Sequence, residues 1–309
     1  MFIFKTIPIS LYILILYFST SIYSQDKPIL CFTFDDGNPK DILNYNYLQW
    51  NGMILNQLKE NNLQSILYVC GKNLDNEKGR QILETWDKAG HLIGNHTYHH
   101  LNYNKEEMTF QEYTNDIIKC DSVINRYKNN TKLFRAPFLK NGNTGAKRDS
   151  LIEWLKRTGY GNGYVTIDAS DWYYNSVLIK FMKNNPGANT DKIKELYIEH
   201  LLDRAKYYDD LATEIFGRKI RHSLLLHHNL TSALFLGYLI KAFKERGWEI
   251  IDAKNALSDD IYKRKMAALP AGESIIWNIA KETGNYENKL RYPAEDSIYE
   301  EEKVKEAGL

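Results

Sequence analysis

Two adjacent carboxylates and a glycine, Asp35-Asp36-Gly37, end a run of β-forming residues at Ile29–Phe34. Neighbouring side chains at a strand end point in different directions, so one carboxylate can face a metal ion while the other faces a water molecule. The glycine permits the tight turn that exposes both. Downstream, His96 and His100 are four apart, a spacing at which one helical turn presents both rings on the same side. Two imidazoles and one carboxylate, with Asp35 or Asp36 as the third donor, make a common catalytic zinc set that leaves a position open for water. Arg135, Asp168, Asp171 with Trp172, and the pair His227-His228 recur further along. Gathered at one place, such groups suit a shared site in which one aspartate is a metal ligand and its neighbour a general base for the bound water.

For these residues to meet, the chain must deliver them to one edge. Strand-like runs occur at Ile29–Phe34, Ser65–Val69, His91–Gly94, Lys132–Phe134, Gly163–Ile167, His222–Leu226 and Trp248–Ile251. Helical spacing occupies the stretches between, at Tyr47–Glu60, Gly79–Ala89, Phe110–Tyr127, Ser150–Thr158 and Ser232–Arg246. Strands alternating with helices predict an α/β domain of mostly parallel strands. Seven strands with neither repeat nor linker predict a single barrel-like domain, over residues 25–260. In such barrels active sites form at the carboxyl ends of the strands. Asp35, His96, Arg135, Asp168 and His227 all follow one of the predicted strands. Residues 175–220 carry an inserted helical stretch, Asp191–Phe216, and residues 261–309 read as a polar, solvated extension.

The chain has 309 residues, 43% of them apolar, which suffices for one large core. With 40 basic and 39 acidic side chains the net charge is +1, which gives no field for nucleic acid or an anionic membrane and points to a neutral substrate. The 22 Tyr and 6 Trp suit either a Tyr-rich core and surface or a carbohydrate, whose apolar faces stack on such rings, and composition alone favours the first. No protein partner is evident. At the N-terminus, Lys5 precedes an apolar block centred on Leu11–Phe18 and a zone of small residues, Ser19 to Ser24. That pattern predicts a secretory signal over residues 1–24, cleaved near Ser24, and an exported protein, periplasmic or extracellular. Three cysteines, Cys31, Cys70 and Cys120, exclude a full set of intrachain bridges. A Cys31–Cys70 bridge requires their strands to be neighbours.

With these residues set out, the sequence resembles the NodB-type polysaccharide deacetylases, carbohydrate esterase family 4. The motifs stand in the family's order: TFDDG at Thr33–Gly37, H-[ST]-x-x-H at His96–His100, arginine-proline at Arg135–Pro137, aspartate-tryptophan at Asp171-Trp172 and L-x-L-H at Leu224–His227. The resemblance spans roughly Pro28 to Leu257. It implies a distorted (β/α) barrel of seven or eight strands that removes acetyl groups from N-acetylated sugars, using a divalent metal, zinc above all. Carried onto this chain, it implies Asp36, His96 and His100 as metal ligands and Asp35 as the base. His227 becomes the general acid, with Arg135 orienting Asp35 and Asp171 orienting His227. Phe138, Trp172 and Leu225 fall where the substrate is contacted, with a backbone N–H near Phe138 facing the oxyanion.

The chain departs from the family where Pro137 is followed by Phe138 and Leu139 instead of tyrosine and glycine. That removes a hydroxyl from the groove wall and adds bulk. His99 and His228 match no family role. The expected substrate is an acetylated, GlcNAc-containing glycan. Two alternatives are an O-acetyl esterase acting on a xylan-type polymer and a sugar-binding barrel without catalysis.

Overall fold

In the computed structural model, which describes residues 27–309, the chain builds one seven-stranded parallel sheet. The expected leader, residues 1–24, lies outside the described residues. β1 (Ile29–Asp36) is central, and Leu30 to Asp35 are buried, as in strands covered on both faces. It pairs with β2 (Ile66–Val69) on one side and β6 (Arg221–His227) on the other, and the short β7 (Glu249–Ile250) joins its first residues. Beyond β2 follow β3 (Leu92–Asn95), β4 (Asn130–Phe134) and β5 (Gly161–Asn162). A parallel bridge between Ile167 and Leu224 then brings the chain after β5 onto β6. The result is a distorted (β/α) barrel, the expected fold class.

The fifth strand differs from expectation. Gly163–Ile167 was expected as one strand, but only Gly161 and Asn162 pair with β4. The segment changes neighbours midway: Gly163 N–H donates to the Phe134 carbonyl at 2.7 Å, whereas Ile167 N–H donates to Ser223 on β6 at 3.0 Å. Gly163 lies so close to Tyr68 that a Cβ there would sit 2.3 Å from its hydroxyl. A segment shared between two strands cannot run regularly along either, and this seam is where the barrel is distorted.

The helices cover the sheet with apolar stripes. α1 (Tyr47–Glu60), capped by Asn46, buries Trp50, Ile54 and Leu58 and packs on α8 (Leu230–Glu245). The one-turn α2 (Gly71–Leu74) leads into α3 (Glu77–Lys88), and α4 (Phe110–Ile124) starts with a Thr109–Glu112 capping box. α5 (Gly145–Arg157) precedes β5, α6 (Asp171–Asn184) and α7 (Asp191–Phe216) form the inserted layer, and α9 (Ala253–Ala256) follows β7.

Residues 261–309 are not the solvated extension expected from their polarity. α10 (Ile275–Thr283) buries Ile275, Ile276, Trp277, Ile279 and Ala280 and packs on α7. Ile275 N–H donates to the Val165 carbonyl at 2.9 Å, and Ser274 Oγ to Thr166 O at 2.8 Å. Ala271 bridges Gly142, and α11 (Ile298–Glu306) buries Val304 and Glu300. A short apolar stripe between charged flanks is enough to anchor the segment, since each large side chain enclosed contributes about 1.5–3 kcal/mol.

The three cysteines are free and buried. β1 and β2 are indeed neighbours, but their register sets Asp36 opposite Val69, so Cys31 and Cys70 stand about 20 Å apart along the strands. That separation excludes a bridge.

Candidate active site

At the end of β1 the backbone turns into the left-handed region, with φ of 79° at Asp36 and 80° at Gly37. A Cβ on Gly37 would lie 2.5 Å from Leu74 Cδ1, so conformation and space both demand glycine there. The turn sends the two carboxylates different ways. Asp35 points into the barrel, 2% exposed, and accepts Arg135 Nη1 at 2.6 Å. Asp36 Oδ1 lies 3.3 Å from His100 Nε2 and 3.8 Å from His96 Nε2, which is also 3.7 Å from Asp35 Oδ2.

Arg135, just past β4, serves this site from both ends of the residue. Its guanidinium, enclosed beside the Tyr68 ring, also donates to Thr33 Oγ1 at 2.9 Å and to the Gly163 carbonyl at 2.7 Å. Its own carbonyl lies 2.8 Å from His96 Nδ1. A carbonyl can only accept, so Nδ1 carries the proton and Nε2 turns its lone pair toward the two aspartates. Burial, aided by His100, pushes His96 down to about 3, so the ring is a neutral donor at ordinary pH.

His96 and His100 do not share a helical turn. They lie in a loop after β3 in which Thr97 and His100 have φ of 60° and 57°. The loop is held from outside: Asp116 on α4 accepts Tyr98 N–H at 3.0 Å and His99 N–H at 2.8 Å, and pairs with His99 Nδ1 at 2.6 Å. Three non-glycine residues in the left-handed region, two of them carrying Asp36 and His100 side chains into one spot, store backbone strain where groups converge.

Asp36, His96 and His100 each offer a ligand atom, all within 4.8 Å of one another, and among the described residues no other such cluster of three occurs. Asp36 Oδ1 is buried without a hydrogen-bond partner. An orphaned carboxylate oxygen facing a neutral imidazole of fixed tautomer fits a divalent cation, whose charge would satisfy it.

The second charged pair comes from β6 and α6. His227 Nδ1 meets Asp171 Oδ1 at 2.6 Å, and Asp171 Oδ2 accepts the backbone N–H of His227 at 2.8 Å and Asn229 Nδ2 at 3.3 Å. Asp171 is fully buried in the first turn of α6, where the helix dipole favours its charge. Burial alone would lower His227, but Asp171, then Asp36 and Asp35, raise it to about 10, so the ring is a cation. Burial likewise raises the Asp35 carboxyl, against the pull of Arg135, His227 and His100.

Other residues named from the sequence without a role there take their places as follows. His228 Nδ1 accepts Asn38 N–H at 3.0 Å and its Nε2 meets Asn51 at 2.9 Å, so it pins the loop behind Asp36 from inside the core. Burial lowers it to about 3, and it is a structural acceptor. Thr33, within TFDDG, steadies Arg135. Asp168 is buried and raised well above the ordinary range by burial and by Glu295 and Glu273; it bonds to Ala169 N–H at 2.9 Å and joins no contact of Asp35, His96 or His227. Of the residues expected at the substrate, Phe138 and Trp172 are 54% and 43% exposed. Phe138 stands edge-on to His100 at 4.5 Å and has φ of 55°. Leu225 is nearly enclosed in a small cluster with Leu139 and Val165, so it has little surface to offer a sugar ring.

Comparison with known proteins agrees with this geometry. The family model described as polysaccharide deacetylase matches residues 23–161. That stretch, which holds the motifs of Asp35, Asp36, His96, His100 and Arg135, is thus similar to the polysaccharide deacetylases over somewhat less than half of the chain. A peptidoglycan-N-acetylglucosamine deacetylase of Bacillus cereus is 30% identical over 148 residues, 48% of this chain and 47% of the relative. The chain thus spans about half the length of that curated relative. Three solved structures share the fold at a TM-score of 0.50. One is a peptidoglycan N-acetylglucosamine deacetylase bound to a substituted N-oxidanyl-benzamide, 21% identical, covering 75% of this chain and 88% of that one. Another is a Bacillus cereus polysaccharide deacetylase, 20% identical, covering 73% and 92%. The third, a CE4-family pseudoenzyme of Bacillus anthracis, is 18% identical and covers 75% and 66%.

Proposed function

We propose that the protein is an exported, zinc-dependent hydrolase that removes N-acetyl groups from a GlcNAc-containing glycan. The observation that carries this reading is the convergence of two differently tuned charge sets at one barrel end: Asp36, His96 and His100 with Asp35 beside them, and the cationic His227 on Asp171. A cation held by Asp36, His96 and His100 would supply Lewis acidity to the acetyl carbonyl and the attacking water.

Asp35, fixed by Arg135, takes a proton from that water as its oxygen bonds to the acetyl carbon. The backbone N–H of Phe138 donates to the developing oxyanion. The sugar nitrogen is a very poor leaving group as an anion, so the C–N bond breaks only as His227 gives it a proton. Acetate and the free amine result. Asp171 is a positioning residue that keeps His227 charged and aimed. Phe138 and Trp172 offer faces to sugar rings, while Leu225, nearly enclosed, offers little. The leader read at residues 1–24 supports a site of action outside the cytoplasm, where such glycans lie.

The test is acetate release from N-acetylglucosamine oligomers and from peptidoglycan. Release that stops with a chelator, returns with zinc and falls in Asp35→Asn supports the reading. Full activity in Asp35→Asn, or none in the wild type on any N-acetylated glycan, refutes it. Export is tested by finding the mature protein outside the cytoplasm without its first 24 or so residues.

A further inference from the structure

The family motifs end with β6, yet a buried charged chain links the active site to the inserted layer and to the C-terminal segment. His200, in the middle of α7, is 2% exposed. Its Nε2 accepts the backbone N–H of Ser170 at 3.1 Å, so Nε2 is unprotonated and Nδ1 carries the hydrogen. Nδ1 lies 3.2 Å from Glu300 Oε2, on α11. Glu300, 1% exposed, is held in turn by Tyr174 Oη at 3.4 Å and Arg291 Nη1 at 3.3 Å. Burial would raise its carboxyl, yet His200, Lys303 and Arg291 bring it down to about 2, so it stays ionised. Ser170 is the residue before Asp171, and its peptide sets where α6 begins.

We propose that His200 and Glu300 are positioning residues for the acid step: they fix the Ser170–Asp171 backbone, and through Asp171 the tilt and charge of His227. This rests on the deacetylase reading given above. The carboxylate selects the His200 tautomer, the tautomer provides the acceptor for Ser170, and the anchored peptide sets Asp171 Oδ1 at 2.6 Å from His227 Nδ1. In a pair that short, a shift of a few tenths of an ångström weakens both alignment and charge stabilisation. The C-terminal segment is thereby part of the catalytic scaffold.

The experiment compares wild type, His200→Leu, His200→Gln and Glu300→Gln, each confirmed as folded by thermal unfolding. Two substrates are used: an N-acetylated chitooligosaccharide, which needs a protonated leaving group, and 4-nitrophenyl acetate, which does not. In His200→Leu, kcat on the amide should fall about tenfold or more while KM and turnover of the ester stay within about twofold. His200→Gln, which keeps an acceptor near the Nε2 position, should recover most of the loss, and Glu300→Gln should lie between. Independently of turnover, the low-field proton signal of His227 Nδ1–H bound to Asp171 should move or vanish in His200→Leu and persist in His200→Gln. Equal loss on both substrates, no loss, or an unchanged His227 signal in His200→Leu overturns the inference. A wild type inactive on amides would overturn the deacetylase reading instead, and the proton signal would still decide this one. Should His200→Leu not fold, Glu300→Gln, which keeps size and shape, decides by the same two readouts.

Discussion

The guanidinium of Arg135 holds the Asp35 carboxylate at 2.6 Å, with both side chains almost completely enclosed in the barrel. The same residue fixes the His96 ring through its main chain, so side chain and backbone can be separated by mutation. Arg135→Lys keeps the carbonyl and a positive charge but loses the planar fork that reaches Asp35, Thr33 and Gly163 together. kcat should drop by about 10²-fold with zinc affinity within a few-fold of wild type, measured by acetate release and chelator competition. Parallel loss of zinc would show that the two functions of Arg135 are not separable.

His100 sits at φ 57°, a conformation that asparagine tolerates better than histidine. His100→Asn should therefore weaken zinc binding by about 10²-fold or more, yet leave the metal-free protein as stable as wild type or up to about 1 kcal/mol more so. Calorimetry in chelator tests the second half. A clear fall in Tm would mean that the imidazole packs more than it strains.

The His227–Asp171 pair makes stability depend on pH in a defined direction. His227 is raised from 6.5 to about 10 in the folded chain. Its stabilisation is thus complete below about 6.5 and fades as pH rises through 10. In metal-free protein, wild type should exceed His227→Gln in unfolding free energy at pH near 6, and the gap should close toward pH 11. A gap that widens with pH would contradict the ion pair.

Trp277 on α10 is 5% exposed, and its indole N–H donates to the Arg291 carbonyl at 3.1 Å. Trp277→Ala should destabilise the protein by about 3–5 kcal/mol, seen as a lower urea midpoint. A change below about 1 kcal/mol would mean that residues past 261 contribute little to the core.

What the sequence disclosed depended on whether local pattern or distant contact decided the structure. β1 and β6 are long apolar runs, and α1 and α7 begin and end where helical spacing does, at Tyr47–Glu60 and Asp191–Phe216. The charged groups that follow such strands could be placed at one rim without knowing any distance. The seam at 161–167 could not, because its path depends on Tyr68 and Ser223, far away in sequence. The four-residue spacing of His96 and His100 imitated a helix, while Asn95 and Asp116 impose a loop by accepting backbone N–H groups of Thr97 to His99. The 261–309 segment was masked by its charge, since five enclosed residues of α10 are too few to show against that background. His200 and Glu300 carried no local signal at all, because their meaning lies in the peptide of Ser170.

The thiols of Cys31, Cys70 and Cys120, all free and buried, also bear on how the folded molecule endures. The native form contains no disulfide among its described residues, and burial lifts Cys31 to about 12 and Cys70 to about 11, far from reactive thiolate. Once folded, the chain keeps these thiols from exchange in reducing and oxidising surroundings alike.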